Sequence, residues 1–264
     1  MSAKLDEGAP VALVTGGGSG IGAAIATKLS ATYRIAICGR RAGALEAVAD
    51  RTNALALVAD IGKPDEAADA VERTVAHFGR LDSLILNAGI VFAASVAEMS
   101  LHDWQRQVDV NLTAPFVMSR AAIPHLLPSR GSIVAISSVA GATAGAGLCA
   151  YSASKAGLTL LTQTIALEYA RYGLRANVIA PGWVRTEMAD MEMSALMGGG
   201  EPEEGYRRVT RLIPQRRAAE CVEIANVAAF LLSPEASYIN GAVINVDGGG
   251  SVVNTGLVEF DQPV

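Results

Sequence analysis

A chain of 264 residues, of which 51% are hydrophobic and 18% are charged, can build a large core, which excludes an intrinsically disordered protein. Its net charge of −5 and the lack of a long basic run give no electrostatic footprint for nucleic-acid binding. No uncharged apolar run approaches the roughly 18 residues that a membrane span needs.

The N-terminal segment, MSAKLDEGAP, lacks the apolar stretch of a secretory signal peptide. The three cysteines are widely spaced without a CxxC pair, which favours a reducing compartment over a disulfide framework or a zinc site. The three histidines share no metal-ligand spacing. We therefore expect a cytoplasmic protein without a metal centre.

A short apolar run, Val11–Thr15, predicts a buried parallel strand, and a helical pattern covers residues 23–29. Between them lies a glycine-rich turn. Such a turn between strand and helix lets the backbone approach a pyrophosphate, which the N–H groups and the dipole of the helix N-terminus attract. The turn therefore predicts a dinucleotide site at Gly16, Gly18, Ser19, Gly20, Ile21 and Gly22.

The second predicted strand, residues 34–38, ends before Arg40 and Arg41. An acidic residue near this point would accept the adenosine ribose hydroxyls of NAD, but two arginines stand here instead. Guanidinium groups pair with a 2′-phosphate in a bidentate manner, so the sequence favours NADP. The alternative is a pair of surface arginines, and the turn carries Ser19 where a second basic group would have helped.

The strand–helix pattern repeats with a strand at 54–58, a helix at 63–78 and a strand at 84–86. Asp60 and Ile61 follow the first of these strands, where Asp60 either contacts adenine or caps the helix. Small residues follow the second strand, at the ligand-binding edge of an open α/β sheet, and are Asn87, Ala88 and Gly89.

A long helix is predicted at 101–127, with bends at its two prolines, and a fifth strand at 132–137. Asn111 is a poor helix former inside this helix, so we expect it to have a special task. The next predicted helix, 151–172, begins at Tyr151. Lys155 follows four residues later, so both side chains lie on one face, where an ammonium would lower the pKa of the phenol.

Such a tyrosine could exchange a proton with a carbonyl or an alcohol near neutral pH, and Ser138 could bind the reacting oxygen. A sixth strand is predicted at 175–179, followed by Pro181 and Gly182. The pattern loosens at 187–217, where methionines and glycines predict a mobile lid over the substrate. A helix at 220–232, a last strand at 242–246 and a tail at 251–264 complete a single domain, 1–264, around a doubly wound, mostly parallel sheet.

These motifs together resemble the short-chain dehydrogenase/reductase family. The turn from Thr15 to Gly22 looks like its T-G-x-x-x-G-x-G motif, and Asn87-Ala88-Gly89 matches its N-A-G. The resemblance covers about residues 11–250. Asn111, Ser138, Tyr151 and Lys155 fall where the family has its catalytic tetrad.

The resemblance implies a seven-stranded Rossmann fold and a role for each matched residue. Tyr151 would be the general acid/base, Lys155 would lower its pKa and hold the nicotinamide ribose, Ser138 would orient the substrate, and Asn111 would support a relay water. Asp60 and Ile61 would meet adenine, Asn87 to Gly89 the adenosine side, and Val184 and Thr186 the carboxamide. A homotetramer assembled through the two long helices is also implied.

We therefore expect an oxidoreductase that transfers a hydride between NADP(H) and a ketone or secondary alcohol, in the manner of a 3-oxoacyl reductase. An NAD-dependent dehydrogenase of a sugar, sterol or diol is the alternative, and a non-catalytic cofactor-binding protein is a third. The substrate is a small molecule that the sequence does not identify. Uncharged candidates for its pocket are Cys149, Trp183, Met188, Met191 and Met193.

Overall fold

A seven-stranded sheet forms the centre of the protein, which a computed structural model describes over residues 5–254. Its order is β3-β2-β1-β4-β5-β6-β7, and every pairing between neighbouring strands is parallel. The predicted fold class is therefore confirmed. The strands are β1 (Val11–Thr15), β2 (Arg34–Gly39), β3 (Leu55–Val58), β4 (Ser83–Leu86), β5 (Ser132–Ile136), β6 (Arg175–Pro181) and β7 (Val243–Val246).

Helices connect the strands and cover both faces of the sheet. They are α1 (Gly20–Leu29), α2 (Ala42–Thr52), α3 (Pro64–Phe78), α4 (Leu101–Val108), α5 (Ala114–Leu126), α6 (Cys149–Tyr169), α7 (Glu187–Leu196), α8 (Pro202–Thr210) and α9 (Cys221–Leu232). Helix α2 was not predicted, because alanine, glycine and exposed polar residues leave only Leu45, Val48 and Thr52 buried on it.

The core has two layers because successive side chains of a strand point to opposite faces. Val11 and Leu13 of β1 pack on one face with residues of α3, α5 and α6. Ala12 and Val14 pack on the other face with residues of α1, α2 and α9. Burial on both faces explains why the central strands read as continuous apolar runs.

Residues 101–127 form one nearly continuous helical stretch with an irregularity inside it, and the bends at its two prolines stay a prediction. A π-helical segment, Asp109–Thr113, separates α4 from α5, and Pro115 lies in the first turn of α5. Wide turns of this kind occur frequently at functional sites. Here the segment carries Asn111.

The segment 187–217 is more regular than predicted, because it contains α7 and α8. Gly205 allows the two helices to pack closely: a Cβ there would lie 2.7 Å from Met193 Cβ. The Tyr206 hydroxyl donates to Asp190 Oδ1 at 2.7 Å. Whether the segment moves stays a prediction, and most of the predicted tail, from 255 onward, lies outside the described residues.

Candidate active site

A cleft of about 1180 Å³ lies at the carboxyl ends of the parallel strands, beneath α7. All the predicted site residues except Gly22 and Asn111 line it. The lining includes one residue or more that follows each of the first six strands, for example Gly16, Arg41, Asp60, Asn87, Ser138 and Gly182. The structure thus brings the predicted residues together.

The glycine turn after β1 is shaped for a close-lying anion. Gly16 has a φ of +65°, and a Cβ on Gly22 would lie only 2.3 Å from Gly16 O, so side chains are excluded at both positions. Helix α1 begins at Gly20 with no side-chain cap and no acidic residue in its first turn. Its free N–H groups and positive dipole fit a pyrophosphate.

Thr15 holds this turn in place, a role that the sequence did not reveal. Its Oγ1 donates to Ile85 O at 3.2 Å and accepts from the N–H groups of Asn87 and Ala88, both at 2.9 Å. Asn87 Nδ2 donates in return to Thr15 O at 2.8 Å. The available signals were its place at the end of a strand and as the first residue of the glycine motif.

The two arginines after β2 differ in their surroundings. Arg40 is exposed and makes no hydrogen bond or ion pair with residues 5–254. Arg41 forms a bidentate pair with Glu187 at 2.8 and 3.0 Å, and it donates to Ser19 Oγ at 2.8 Å. Ser19 therefore holds Arg41 at the edge of the glycine turn. Glu187 of α7 occupies the guanidinium that a 2′-phosphate would bind.

Asp60 does not cap the helix that follows it, because the N-cap of α3 is Lys63. Its Oδ1 accepts from Gly62 N at 3.2 Å, and its own N–H donates to Glu66 Oε2 at 2.7 Å. The adenine alternative therefore stays as the prediction for Asp60. Ile61 is buried beside it.

Gly89 lies beside the predicted catalytic residues, because the loop after β4 turns toward α6. A Cβ added to it would be 3.2 Å from Lys155 Nζ and 3.4 Å from Asn111 Oδ1. The contact of the N-A-G motif with the adenosine side of the cofactor stays a prediction.

The residues after β6 cover the other side of the turn. Val184 is buried and pairs with Ala219, and Thr186 Oγ1 accepts from Ala189 N at 3.1 Å as the N-cap of α7. A Cβ added to Gly20 would lie 3.3 Å from Thr186 Cγ2. Thr186 therefore ties the start of α7 to the glycine turn.

Asn111 is fully buried and its side-chain amide is used within the protein. Oδ1 accepts from Ile90 N at 2.9 Å, and Nδ2 donates to Ile90 O at 2.9 Å and to Ser154 Oγ at 3.1 Å. The residue thus joins the loop after β4 to α6 through the π-helical segment. Its predicted water contact is not tested by these bonds.

Ser138 and Tyr151 meet in the cleft. Ser138 follows β5 with an extended backbone, and its Oγ accepts from Ala140 N at 3.1 Å. The Ser138 hydroxyl acts on the Tyr151 phenol and lowers its pKa. Tyr151 lies in the first turn of α6, which begins at Cys149, two residues earlier than predicted.

The prediction that Lys155 lowers the pKa of Tyr151 was wrong for this geometry. Burial raises the pKa of Tyr151 above its usual value, and the charge of Glu192 raises it further. Lys155 is 3% exposed, and burial lowers its pKa to about 8. Its Nζ donates to Ile136 O at 2.8 Å and lies 5.7 Å from the centre of the Tyr151 ring.

Glu192 is a second residue that the sequence analysis missed. It projects from α7 into the cleft lining, among the methionines that the pattern had singled out. Trp183, Met188 and Met191 do line the cleft, whereas Cys149 does not, and Met193 is buried against Tyr206. The helical pattern of methionines drew attention away from the carboxylate of Glu192, which lies between Met191 and Met193.

Neither a metal cluster nor a membrane helix accompanies this site. Among residues 5–254 no group of three or more histidine, cysteine, aspartate or glutamate side chains is arranged to hold a metal ion. In the same part of the chain, no helix is long and apolar enough to cross a membrane.

Known proteins resemble this chain over nearly its whole length. A family model described as enoyl-(acyl carrier protein) reductase matches residues 16–251. The chain is 38% identical to protein MoaE of Klebsiella aerogenes, over 96% of this chain and 99% of that protein. It is 36% identical to a 3-oxoacyl-[acyl-carrier-protein] reductase of Synechocystis (91% and 96% covered) and to a meso-2,3-butanediol dehydrogenase of Serratia marcescens (91% and 94%).

Solved structures agree with the sequence matches. Levodione reductase superposes with a TM-score of 0.89 at 32% identity, covering 95% of this chain and 100% of that one. A protein of Beutenbergia cavernae with NADP bound at low occupancy gives a TM-score of 0.84 at 37% identity, covering 92% and 97%.

Proposed function

Because this chain belongs to the short-chain dehydrogenase/reductase family, we propose that it interconverts a ketone and a secondary alcohol with NADP(H). The coarser activity follows from the family: the chain is an NAD(P)-dependent oxidoreductase that acts on CH–OH groups. The observation that carries the finer proposal is the convergence of Ser138, Tyr151 and Lys155 beside an anion-binding glycine turn.

The proposed mechanism divides the reaction between the cofactor and the chain. The glycine turn after β1 would hold a nicotinamide dinucleotide, which would supply or accept the hydride. Tyr151 gives its phenolic proton to the carbonyl oxygen in reduction, and takes the hydroxyl proton in oxidation. Ser138 orients that oxygen, Lys155 holds the ribose hydroxyls, and Asn111 keeps the loop after β4 against α6.

Replacing Tyr151 by phenylalanine tests the proposal. The ring and its packing remain but the proton is lost, so we expect kcat to fall by about 10²–10⁴-fold. Cofactor binding, followed by NADPH fluorescence, should be nearly unchanged. Tyr172→Phe on the exposed surface is the matched control and should keep full activity. Wild-type-like turnover by Tyr151→Phe would remove the proposed acid/base.

The preference for NADP rests on Arg40 and Arg41 at the end of β2. Both line the cleft, and no acidic residue follows β2 directly to accept ribose hydroxyls. The exposed guanidinium of Arg40 is available for a 2′-phosphate, and the NADP in the structure of the Beutenbergia cavernae protein agrees with such a preference.

An NAD-dependent dehydrogenase of a sugar, sterol or diol is the second candidate. One observation favours it: the guanidinium of Arg41 is already paired with Glu187, whose carboxylate would repel a 2′-phosphate. The relatives divide in the same way between a 3-oxoacyl reductase and a diol dehydrogenase. Initial rates with NADPH and NADH, measured on 3-oxoacyl thioesters and on diols, would separate the two candidates.

We further propose that the segment 187–217 is a lid over the substrate. Met188 and Met191 of this segment line the cleft, and the Arg41–Glu187 pair joins its first turn to the cofactor edge. Movement of this segment would admit the substrate and then exclude water from the reacting atoms.

A further inference from the structure

Glu192 is a carboxylate set into the substrate end of the cleft. It lies on α7, where it is half-buried, and its charge raises the pKa of Tyr151, so it stands within electrostatic reach of the reacting oxygen. The other residues that α7 gives to the lining include Met188, Ala189 and Met191. Glu192 therefore places one acceptor for hydrogen bonds beside an apolar surface.

This carboxylate has no partner among residues 5–254: it makes no hydrogen bond and no ion pair there. Four other acidic residues of the same segment do have partners, namely Glu187 with Arg41, Asp190 with Tyr206, Glu203 with Arg185 and Glu204 with Arg207. Burial of an unpaired carboxylate costs free energy, and burial raises the pKa of Glu192 accordingly.

The cations that line the cleft do not pair with it. Lys155 donates to Ile136 O, and Arg41 is paired with Glu187. Arg40 stands at the adenosine end and Arg106 is on α4, and neither bonds to Glu192. Glu192 is thus an unsatisfied carboxylate beside the proposed acid/base, and its burial costs free energy. A hydrogen-bond donor on the substrate would satisfy it.

We propose that Glu192 is a specificity-determining residue that binds a hydrogen-bond donor on the substrate, a hydroxyl or an ammonium group close to the reacting carbon. The inference rests on the proposed function and narrows it. It favours small donor-bearing ketones and alcohols over purely apolar ketones and over 3-oxoacyl chains, which carry no donor next to the reacting carbonyl.

Three matched alcohols test this proposal: 2-butanol, 2,3-butanediol and 3-amino-2-butanol, each as separate stereoisomers. A hydrogen bond to a charged group is worth about 10-fold or more, so the wild type should prefer a donor-bearing alcohol by that factor in kcat/KM, mostly through KM. Glu192→Leu should abolish the preference and leave 2-butanol oxidation intact. Glu204→Gln on α8, outside the cleft, is the control and should change nothing.

Glu192→Gln identifies the donor. Its amide oxygen still accepts from a hydroxyl, so a preference for the diol should survive but weaken to a few-fold, because a neutral acceptor binds about half as strongly as a charged one, whereas a preference for the amino alcohol should be lost with the charge. A preference that persists in Glu192→Leu overturns the inference. So does a wild type that favours 2-butanol equally, or one that reduces 3-oxoacyl thioesters and oxidises none of the three alcohols.

A melting curve distinguishes substrate recognition from a structural role. Glu192→Leu removes an unpaired, half-buried carboxylate, so its Tm should equal or exceed that of the wild type. A lower Tm with an equal loss on all three alcohols would mean a structural residue and contradict the proposal. The proposed function fails separately, if Tyr151→Phe retains turnover.

Discussion

The proton on Tyr151 is held more tightly in this structure than on a free phenol. Burial and the charge of Glu192 both raise its pKa, and the effect of the Ser138 hydroxyl is to lower it. At neutral pH the phenol is therefore protonated, which is the state that donates a proton to a carbonyl. The proposed acid role in ketone reduction needs no prior rearrangement, whereas alcohol oxidation requires the phenolate.

Lys155 should make the stability of the protein depend on alkaline pH. Burial lowers its pKa from 10.5 to about 8, so the buried ammonium destabilises the folded state below pH 8. This destabilisation disappears as the pH rises and Lys155 loses its proton. The unfolded chain keeps its proton up to a higher pH, so unfolding free energy should rise with pH in this window. Between about pH 7 and pH 9.5 the wild type should gain about 2 kcal/mol relative to Lys155→Met.

Urea unfolding of both proteins at several pH values measures this difference, because titrating groups common to the two cancel. Lys28→Met, an exposed lysine on α1, serves as the control and should follow the wild type. Parallel curves for the wild type and Lys155→Met would show that the ammonium is not desolvated.

Arg40 and Arg41 should contribute unequally to the cofactor preference. Arg40 has no partner to give up among residues 5–254, whereas Arg41 must leave Glu187 to bind a phosphate. We expect Arg40→Ala to raise the KM for NADPH by about 10-fold, the value of one charge-assisted contact, and Arg41→Ala by less. The KM for NADH should stay constant in both, and a constant KM for NADPH in Arg40→Ala would contradict the NADP assignment.

The π-helical segment lets the buried side chain of Asn111 connect the loop after β4 to α6. The wide turn directs Asn111 toward Ile90 and Ser154, so one amide satisfies both main-chain groups of Ile90 and reaches α6. Position 90 follows Gly89, which lies against Lys155. The loop after β4 and the lysine are therefore held in one arrangement.

Asn111→Ala should lose about 1–3 kcal/mol of stability, because it removes the partner of the part-buried N–H and C=O of Ile90. Asn111→Asp should not restore it: a carboxylate can accept from Ile90 N but faces Ile90 O with a second acceptor. The free energy of unfolding, measured with denaturant, and kcat should fall together in both variants. If the aspartate variant is as stable as the wild type, the amide donor has no structural task.

More of the fold than of the site could be predicted from the sequence. Apolar runs followed by small residues allowed the sheet and the position of the cleft to be predicted, because parallel strands buried on both faces have a continuous apolar pattern. Helix α2 has few buried residues and α8 is strongly polar, so neither produced a clear signal. The Arg41–Glu187 ion pair and the effect of the Glu192 charge on Tyr151 both connect positions that are distant in the sequence. No local pattern reveals such connections.

Exposed apolar residues on the two long helices support the implied homotetramer, which stays a proposal. Leu160 and Leu167, 65% and 82% exposed, lie seven residues apart on one face of α6, and Phe116 on α5 is 46% exposed. Burying one leucine at an interface is worth about 1.5–3 kcal/mol, and symmetry repeats each contact. A second copy of this chain would cover the face.

Leu160→Asp combined with Leu167→Asp should therefore break the assembly into dimers or monomers, because it places two charges on the apolar face of α6. Light scattering after size exclusion measures the mass of each species. Val96→Asp, at a position that is 81% exposed and outside both long helices, should leave the mass unchanged. A wild-type monomer, or a double variant of unaltered mass, would show that this face does not join copies of the chain.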